Sequence, residues 1–367
     1  MENIPFFRYP EFFKTQELAF IETTRDVGAR GAFIMQKDLS EFENAIAEYT
    51  GSKYAIGVAN ATDGLQMGLM AGGIEQGDEV IFCSHTMVAT ASAIHFAGAI
   101  PVPVEAGYDH LIDPDKIEEA ITPRTKAICP TQLNGRTADM DKVQAVAEKH
   151  GLQIYEDAAQ GLGSKWKGQY AGTFGLASCI SFYPAKILGC LGDGGIVLTN
   201  DDEMHDRLML MRDHGRVGND VVMWGFNSRL DNLHAAYLAF QFKNYNQVID
   251  RRREMASRYH NALESVSQLV LPPPPNADSD HFDVFQNYEI EAERRDELRD
   301  YLTTNGVGTI IQWGGKAVHQ FRKLGFTQSL PYTEKLFERM VMLPMNMSVS
   351  NEEIDYISGV VRKFYSN

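Results

Sequence analysis

Between residues 155 and 200 of this 367-residue chain, the stretch YEDAAQGLGSKWKGQYAGTFGLASCISFYPAKILGCLGDGGIVLTN interrupts apolar runs with charged, hydroxylic and glycine residues in a pattern that packing alone does not require. Leu152, Ile154 and Tyr155 end in Glu156 and Asp157, which puts two carboxylates where a buried strand emerges at its carboxyl edge. Ile180 and Phe182 lead to Ser181, Tyr183, Pro184 and Lys186, and Gly192, Gly194 and Gly195 precede another apolar run, Ile196 to Leu198. Lysine is almost never fully buried without a partner. If Lys186 is buried, it loses proton affinity and becomes an amine nucleophile for a carbonyl. Taken singly, Asp157 reads equally as a cap of the following helix and Lys186 as a solvated loop cation; taken together with Gln160 and Ser181, they read as a cofactor site.

The elements that must position these groups alternate in βα rhythm. Apolar runs at 54–58, 80–83, 100–104 and 127–130 read as strands, and 65–70, 90–97, 114–121 and 201–211 read as helices. This is the pattern of an α/β fold with a largely parallel sheet buried on both faces. Ligands in such sheets sit at the carboxyl ends of strands, and Asn60, the segment from His85 to Met87, Gln132 and Asp157 each stand just after an apolar run. The turn Asn60-Ala61-Thr62 before a helix is a phosphate cradle, because the first N–H groups of a helix lack internal partners and its dipole favours an anion. Ahead of the sheet lie a helical stretch at 15–25, a hydrophobic arm around Phe33 and a helix from Asp38 that Gly51 stops. Beyond it, a long helix at 245–266 carries Arg251, Arg252 and Arg253 on what reads as a solvated face, and Pro272 to Pro275 form a stiff linker. The remainder reads as α+β, with strands at 284–290 and 306–311 and helices at 294–304 and 351–364. Residues 1–245 are expected to form a large α/β domain with an N-terminal arm, and 246–367 a connecting helix and a small domain.

Composition narrows the function. The formal net charge is -15 and the 34 Lys and Arg form no dense run, which argues against a sequence-independent grip on nucleic acid or an anionic membrane. Cys83, Cys129, Cys179 and Cys190 stand in or beside apolar stretches with no CxxC pair, so neither a zinc site nor a disulfide framework is expected, and no metal. No apolar run reaches spanning length, and the N-terminus, with Glu2 so early, does not read as a secretion signal. A cytoplasmic protein is expected.

The order Asp157, Gln160, Ser181, Lys186, in EDAAQ, SFYPAK and LGDGG, resembles the site of the DegT/DnrJ/EryC1/StrS family of pyridoxal-phosphate aminotransferases, which mostly act on nucleotide-linked keto-sugars. The resemblance covers nearly the whole chain and implies an aminotransferase of fold type I. It implies pyridoxal 5'-phosphate held covalently on Lys186 as an internal aldimine, with a pyridoxamine form during turnover. Asp157 would then sit beside the pyridine nitrogen, Gln160 near the phenolic oxygen, and Ser181 on the phosphate with Asn60, Ala61 and Thr62. The chain departs from the family at Ala61, where glycine is common, at Met87, where an aromatic usually stacks on the ring, and at Gln132, where histidine is frequent; a thioether can still cover a ring face. In GFNSRLDNLHAAYLAFQF the family assigns the asparagine to the neighbouring subunit's cofactor phosphate and the arginine to an anionic part of the substrate. Carried over, these are Asn227 and Arg229, the latter braced by Asp231, in a homodimer with shared sites; Asn227 reads equally as a helix cap. The unusual stretch IIQWGGKAVHQF supplies Trp313 to stack, Lys316 to meet a phosphate and His319 to face the sugar.

The expected reaction moves an amino group from L-glutamate, which leaves as 2-oxoglutarate, to a nucleotide-linked 3-keto or 4-keto sugar for amino-sugar and surface-polysaccharide biosynthesis. Lys186 favours this over the family's dehydrating branch, which carries histidine there. A keto-substrate without a nucleotide, such as an oxidised octulosonate or a small keto-phosphate, is the alternative acceptor, and a pyridoxal-dependent regulator or a non-enzymatic dimeric scaffold are the readings from other classes.

Overall fold

A computed structural model describes residues 3–366; Met1, Asn367 and Glu2, on which the reading of the N-terminus leans, lie outside the described residues. Helix α1 (Tyr9–Arg30) carries Pro10 in its first turn, where the fixed φ is suited, and ends at Gly31 with φ 62°. It is longer at both ends than its apolar spacing predicts. Helix α2 (Lys37–Thr50) buries Leu39, Phe42 and Ile46, and Gly51 at φ 73° stops it as expected.

The main sheet has seven strands, β1 (Tyr54–Val58), β2 (Glu79–Cys83), β3 (Ile100–Val104), β4 (Thr125–Cys129), β5 (Gln153–Asp157), β6 (Ala177–Ser181) and β7 (Gly195–Thr199), in the order β1-β7-β6-β5-β4-β2-β3. Strand β7 runs antiparallel to both its neighbours, and the other pairings are parallel. Helices α3 (Ala61–Ala71), α4 (Val88–Phe96), α5 (Pro114–Ile117), α6 (Met140–His150) and α7 (Asp202–Met211) make the crossovers and flank. The strands are mainly apolar because both faces are covered, by one core holding Val58, Leu69, Phe82 and Tyr155 and another holding Ile81, Ile128, Val143 and Leu336. All four cysteines are buried and free.

Helices α8 (Asn232–Phe242) and α9 (Tyr245–Leu263) lead to a further hydrophobic core. There, the antiparallel strands β8 (Leu269–Val270), β9 (Tyr288–Ala292) and β10 (Met340–Leu343) pack with α9, α10 (Arg295–Thr304) and α12 (Asn351–Ser366), while α11 (Pro331–Arg339) precedes β10. The reading of 284–290 as strand is corrected: Phe285 has φ 54°, which breaks extended structure, and the regular strand begins at Tyr288. Residues 306–311 are likewise not a strand, since only Val307 and Ile310 make isolated bridges, to Ile4 and Met342. The arginines of α9 are not a solvated face. Arg252 is buried and donates to the carbonyls of Phe285 and Gln286, and Arg253 donates to that of Asp283, so the helix clamps the turn that breaks the expected strand. Among the described residues, no helix is long and apolar enough to cross a membrane.

Candidate active site

The carboxyl ends of β1, β2, β4, β5 and β6 open on one cavity of about 500 Å³, closed on the other side by Gln286, Asn287, Ile310, Gln312, Trp313 and Met342. Strand register brings its floor together. Gly195 pairs with Val58 on one side and Ser181 on the other, so the turn after β1, the end of β6 and the start of β7 meet. A Cβ on Gly195 would lie 2.7 Å from the Ala61 nitrogen and the Asn60 carbonyl carbon, and only glycine permits this approach. Asn60 caps α3, its Oδ1 accepting the Asp63 N–H at 2.9 Å. The N–H groups of Ala61 and Thr62, at the first positions of the helix, have no intrahelical acceptor. Ser181 accepts the Tyr183 N–H at 3.2 Å and retains its own proton for donation.

Lys186 lines this cavity. Burial lowers its proton affinity and the Asp157 carboxylate acts in the opposite sense, so the ammonium titrates at about 8 instead of 10.5. Gln286 brackets it: the amide accepts the Ile187 N–H and donates to the Ala185 carbonyl, each at 2.9 Å. Through Arg252, the α9 clamp thus reaches the lysine backbone.

Asp157 is buried at the end of β5, where it accepts the Thr90 hydroxyl at 2.5 Å and the Ala159 N–H at 3.2 Å. Behind Thr90, hydroxyls continue to Thr86 at 2.8 Å and Thr131 at 3.1 Å. The neighbouring Glu156 points away from the cavity, into N–H groups of Gly172, Phe174 and Gly175 and the Gln132 amide. Burial raises its pKa against these bonds, and strand alternation divides the two carboxylates between a structural and a cavity-facing place. Gln160 lines the cavity, with Oε1 accepting the Asn134 N–H at 2.9 Å. Met87 lines it too and is 51% exposed. A half-buried lysine of lowered proton affinity, a carboxylate fed by a hydroxyl chain, and a helix start at a glycine-tight strand crossing fit the aldehyde, ring nitrogen and phosphate of pyridoxal phosphate.

Several expectations shift. Gln132 is fully buried between Glu156 and the Ala138 N–H and does not face the cavity. Trp313 does line it, held at φ 49° ahead of Gly314 and Gly315 at φ 70° and 77°, a left-handed run that the glycines make possible. Lys316 is exposed outside the cavity wall. His319 is wholly buried, with Nδ1 2.7 Å from the Ser84 hydroxyl and Nε2 3.1 Å from Glu334, so it pins the loop and does not face a substrate. Asn227 and Arg229 do not line their own chain's cavity. Arg229 pairs with Asp213 at 2.7 Å and not with Asp231, which is instead the N-cap of α8, so Asn227 lies too early in the chain to cap that helix. Phe7, Thr90, Thr131, Asp193, Gln286 and Asn287 also line the cavity. The sequence signal for Thr90 and Thr131 was faint, hydroxyls near strand ends, and Phe7, Gln286 and Asn287 arrive from remote segments.

A family model described as the DegT/DnrJ/EryC1/StrS aminotransferase family matches residues 15–362. The chain is 35% identical to a "Pleiotropic regulatory protein" of Geobacillus stearothermophilus, over 99% of each. It is 36% identical to the dTDP-3-amino-3,4,6-trideoxy-alpha-D-glucose transaminase of Streptomyces venezuelae, over 91% of this chain and 89% of that one. To the UDP-N-acetyl-3-dehydro-alpha-D-glucosamine 3-aminotransferase of Acidithiobacillus ferrooxidans it is 37% identical, over 90% of each. The crystal structure of S. venezuelae DesV in complex with a ketimine intermediate superposes with a TM-score of 0.95 at 34% identity, covering all of both chains.

Proposed function

The chain belongs to the DegT/DnrJ/EryC1/StrS aminotransferase family and is a pyridoxal-phosphate-dependent aminotransferase, and from that premise we propose that it transfers an amino group from L-glutamate to a nucleotide-linked 3-keto sugar. The observation that carries the reading is Lys186, an amine titrating at about 8 on the wall of a large cavity, with Asp157 as its charged influence. The choice of carbon 3 is supported by two relatives whose names place the amine or ketone there.

Pyridoxal phosphate, when bound, supplies an electron sink and a carrier for the amine. Lys186 would hold it, and its amine, a group poised near neutral pH, would be suited to moving the proton at the substrate carbon. Asp157, held by the Thr90 hydroxyl and the Ala159 N–H, would face the pyridine nitrogen. The start of α3 with Thr62, Asn60 and Ser181 would hold the phosphate. Gln160 would donate to the phenolic oxygen, Met87 would cover a ring face, and Trp313 would pack on the sugar. Among the described residues, Lys186 is the one lysine or arginine on the cavity wall. Phosphates and carboxylates of the substrates therefore need a cation from elsewhere, for which Arg229 of a second copy in a homodimer is the source, with Asn227 beside it as a neutral donor. Leu18, Ile21, Phe33, Val222 and Trp224 are exposed, Trp224 by 96%, apolar surface that supports such a dimer. We place the enzyme in the cytoplasm, in amino-sugar synthesis for surface polysaccharide, with residues 1–245 and 246–367 as its domains.

The test is the visible absorbance of the purified protein. The cofactor band should fall with L-glutamate and return with one nucleotide-linked 3-keto sugar, and Lys186→Ala should lose both band and turnover. A band that falls with glutamate and returns only with a keto-substrate lacking a nucleotide would replace the proposed acceptor; normal turnover in Lys186→Ala would refute the lysine's role.

A further inference from the structure

Behind the cavity wall, and lining no part of the cavity itself, the buried Glu289 of β9 is the centre of a chain of side-chain amides. Its Oε1 accepts Asn134 Nδ2 at 3.1 Å and its Oε2 accepts Gln312 Nε2 at 2.5 Å. Gln312 Nε2 also donates to Asn134 Oδ1 at 2.9 Å, as does Asn287 Nδ2 at 2.9 Å. Asn287 Nδ2 then reaches Gln160 Oε1 at 3.3 Å. Two histidines face the carboxylate: His110 Nδ1 lies 2.9 Å from Oε1 and His85 Nε2 3.6 Å from it, with His85 Nδ1 2.8 Å from the His110 carbonyl. Beyond His110 stand Glu291 and then Arg339.

The chemistry of the two ends dictates the orientation of everything between them. An ionised carboxylate only accepts, so Asn134 and Gln312 must turn their NH2 groups to Glu289. Asn134 Oδ1 is then an acceptor, which draws in Asn287 Nδ2. At the far end, the backbone N–H of Asn134 only donates, so Gln160 must turn its oxygen inward. With its oxygen committed, Gln160 has only its NH2 left to offer the cavity; Asn287 and Gln312, their NH2 groups committed, have only carbonyl oxygens left. Burial alone would keep Glu289 protonated, but His85 and His110 hold its pKa well below the carboxylate range.

We propose that Glu289 is a positioning residue of the aminotransferase reaction: together with the Asn134 N–H at the other end, it fixes the polarity of this amide chain so that the cavity is met by a donor at Gln160 and by acceptors at Asn287 and Gln312. The donor suits the phenolic oxygen of the cofactor, and the acceptors suit sugar hydroxyls. With the carboxylate gone, Asn134, Gln312 and Asn287 could flip against the orientation that the Asn134 N–H favours at Gln160, and a carboxylate that only accepts removes that freedom. The inference rests on the proposed place of Gln160 beside the cofactor.

The experiment follows the pH midpoint of the visible band of the bound cofactor in the full-length protein, with thermal unfolding of each variant as a check on folding. A donor on the phenolic oxygen favours its ionised form, so losing it should raise the midpoint by about one pH unit. Gln160→Ala should show this rise. Glu289→Gln, which keeps the shape but can donate as well as accept, should show part of it, Glu289→Asp should restore the wild-type value, and Glu289→Gln should add nothing in the Gln160→Ala background. Asn134→Gly cuts the chain while tolerating the φ of 55° and leaving the backbone N–H in place, and serves if Glu289→Gln fails to fold; it should move the midpoint in the same direction. A rise in Gln160→Ala with wild-type midpoints in Glu289→Gln and Asn134→Gly overturns the proposal and leaves the place of Gln160 standing. A wild-type midpoint in Gln160→Ala overturns that placement and the proposal with it.

Discussion

Lys186→Met in the cofactor-free protein should be more stable than wild type, and only at pH values where the amine is charged. The side chain stands against the cavity wall with no carboxylate bonded to it, and its pKa falls from 10.5 to about 8. At about 1.4 kcal/mol per pH unit this gap is worth about 3 kcal/mol. Water in the cavity screens part of it, so an effect of about 1–3 kcal/mol is expected. Below about 8 both folded and unfolded chains carry the proton, and the folded state alone suffers the desolvation. Between about 8 and 10.5 the folded state has released the proton while the unfolded chain still binds it, so wild-type stability rises with pH across this window, and the penalty has gone above it. The advantage of Lys186→Met should therefore be largest near neutrality and fade as the pH climbs. Any packing difference between the two side chains does not depend on pH. Urea or thermal denaturation of both proteins, at one concentration, at about pH 7 and about pH 10, measures the effect. A difference that is the same at both pH values would refute a desolvated amine at this position.

Three further outcomes follow from the same geometry. Gly195→Ala drives a Cβ into the backbone of Asn60 and Ala61, and displacing the start of α3 should cost about 1–3 kcal/mol and weaken pyridoxal phosphate binding in a titration; undiminished affinity would mean that this crossing does not shape the phosphate site. Thr90→Val removes the hydroxyl on Asp157, worth about 1.5–3 kcal/mol to a charged acceptor, and should lower kcat about tenfold or more in steady-state assays while the fold, followed by circular dichroism, persists. His319→Ala unpairs Ser84 and Glu334 and should lower Tm through a loss of about 1–3 kcal/mol without changing the order of preference among keto-sugars; a changed order would restore His319 to the substrate side.

Elements with strong local signals were legible in the chain. The runs 54–58 and 100–104 match their strands residue for residue, because each is a short unbroken apolar run, a local signal that needs no partner to be recognised. The region from Pro272 onward was harder. Phe285 adopts a left-handed backbone because Arg252 takes its carbonyl, and α11 and β10 went unseen because their apolar residues serve cores built by remote segments. The triple arginine shows the same limit: charge suggests solvent, yet Arg252 is buried because the carbonyls of a turn satisfy its guanidinium.

The site divides along the same line. Lys186, Asp157, Gln160, Ser181 and the Asn60 turn were visible in sequence because each stands where an apolar run breaks into polar residues, a local event at the carboxyl edge of a strand. Which side chains complete the cavity is a matter of distance in space. Gln286 and Asn287 come about a hundred residues later, and the hydroxyls behind Asp157 come from two other strand ends. Equally, His319 and Gln132 carry chemistry-bearing groups but are spent on buried partners, because a buried polar group must be satisfied wherever the packing places it. The sequence by itself determined the α/β class and marked Lys186 and Asp157 as polar groups standing where apolar runs end. Only the tertiary structure decided which amides face the cavity and with which polarity, since that depends on a carboxylate, two histidines and a backbone N–H brought together from four separate stretches of chain.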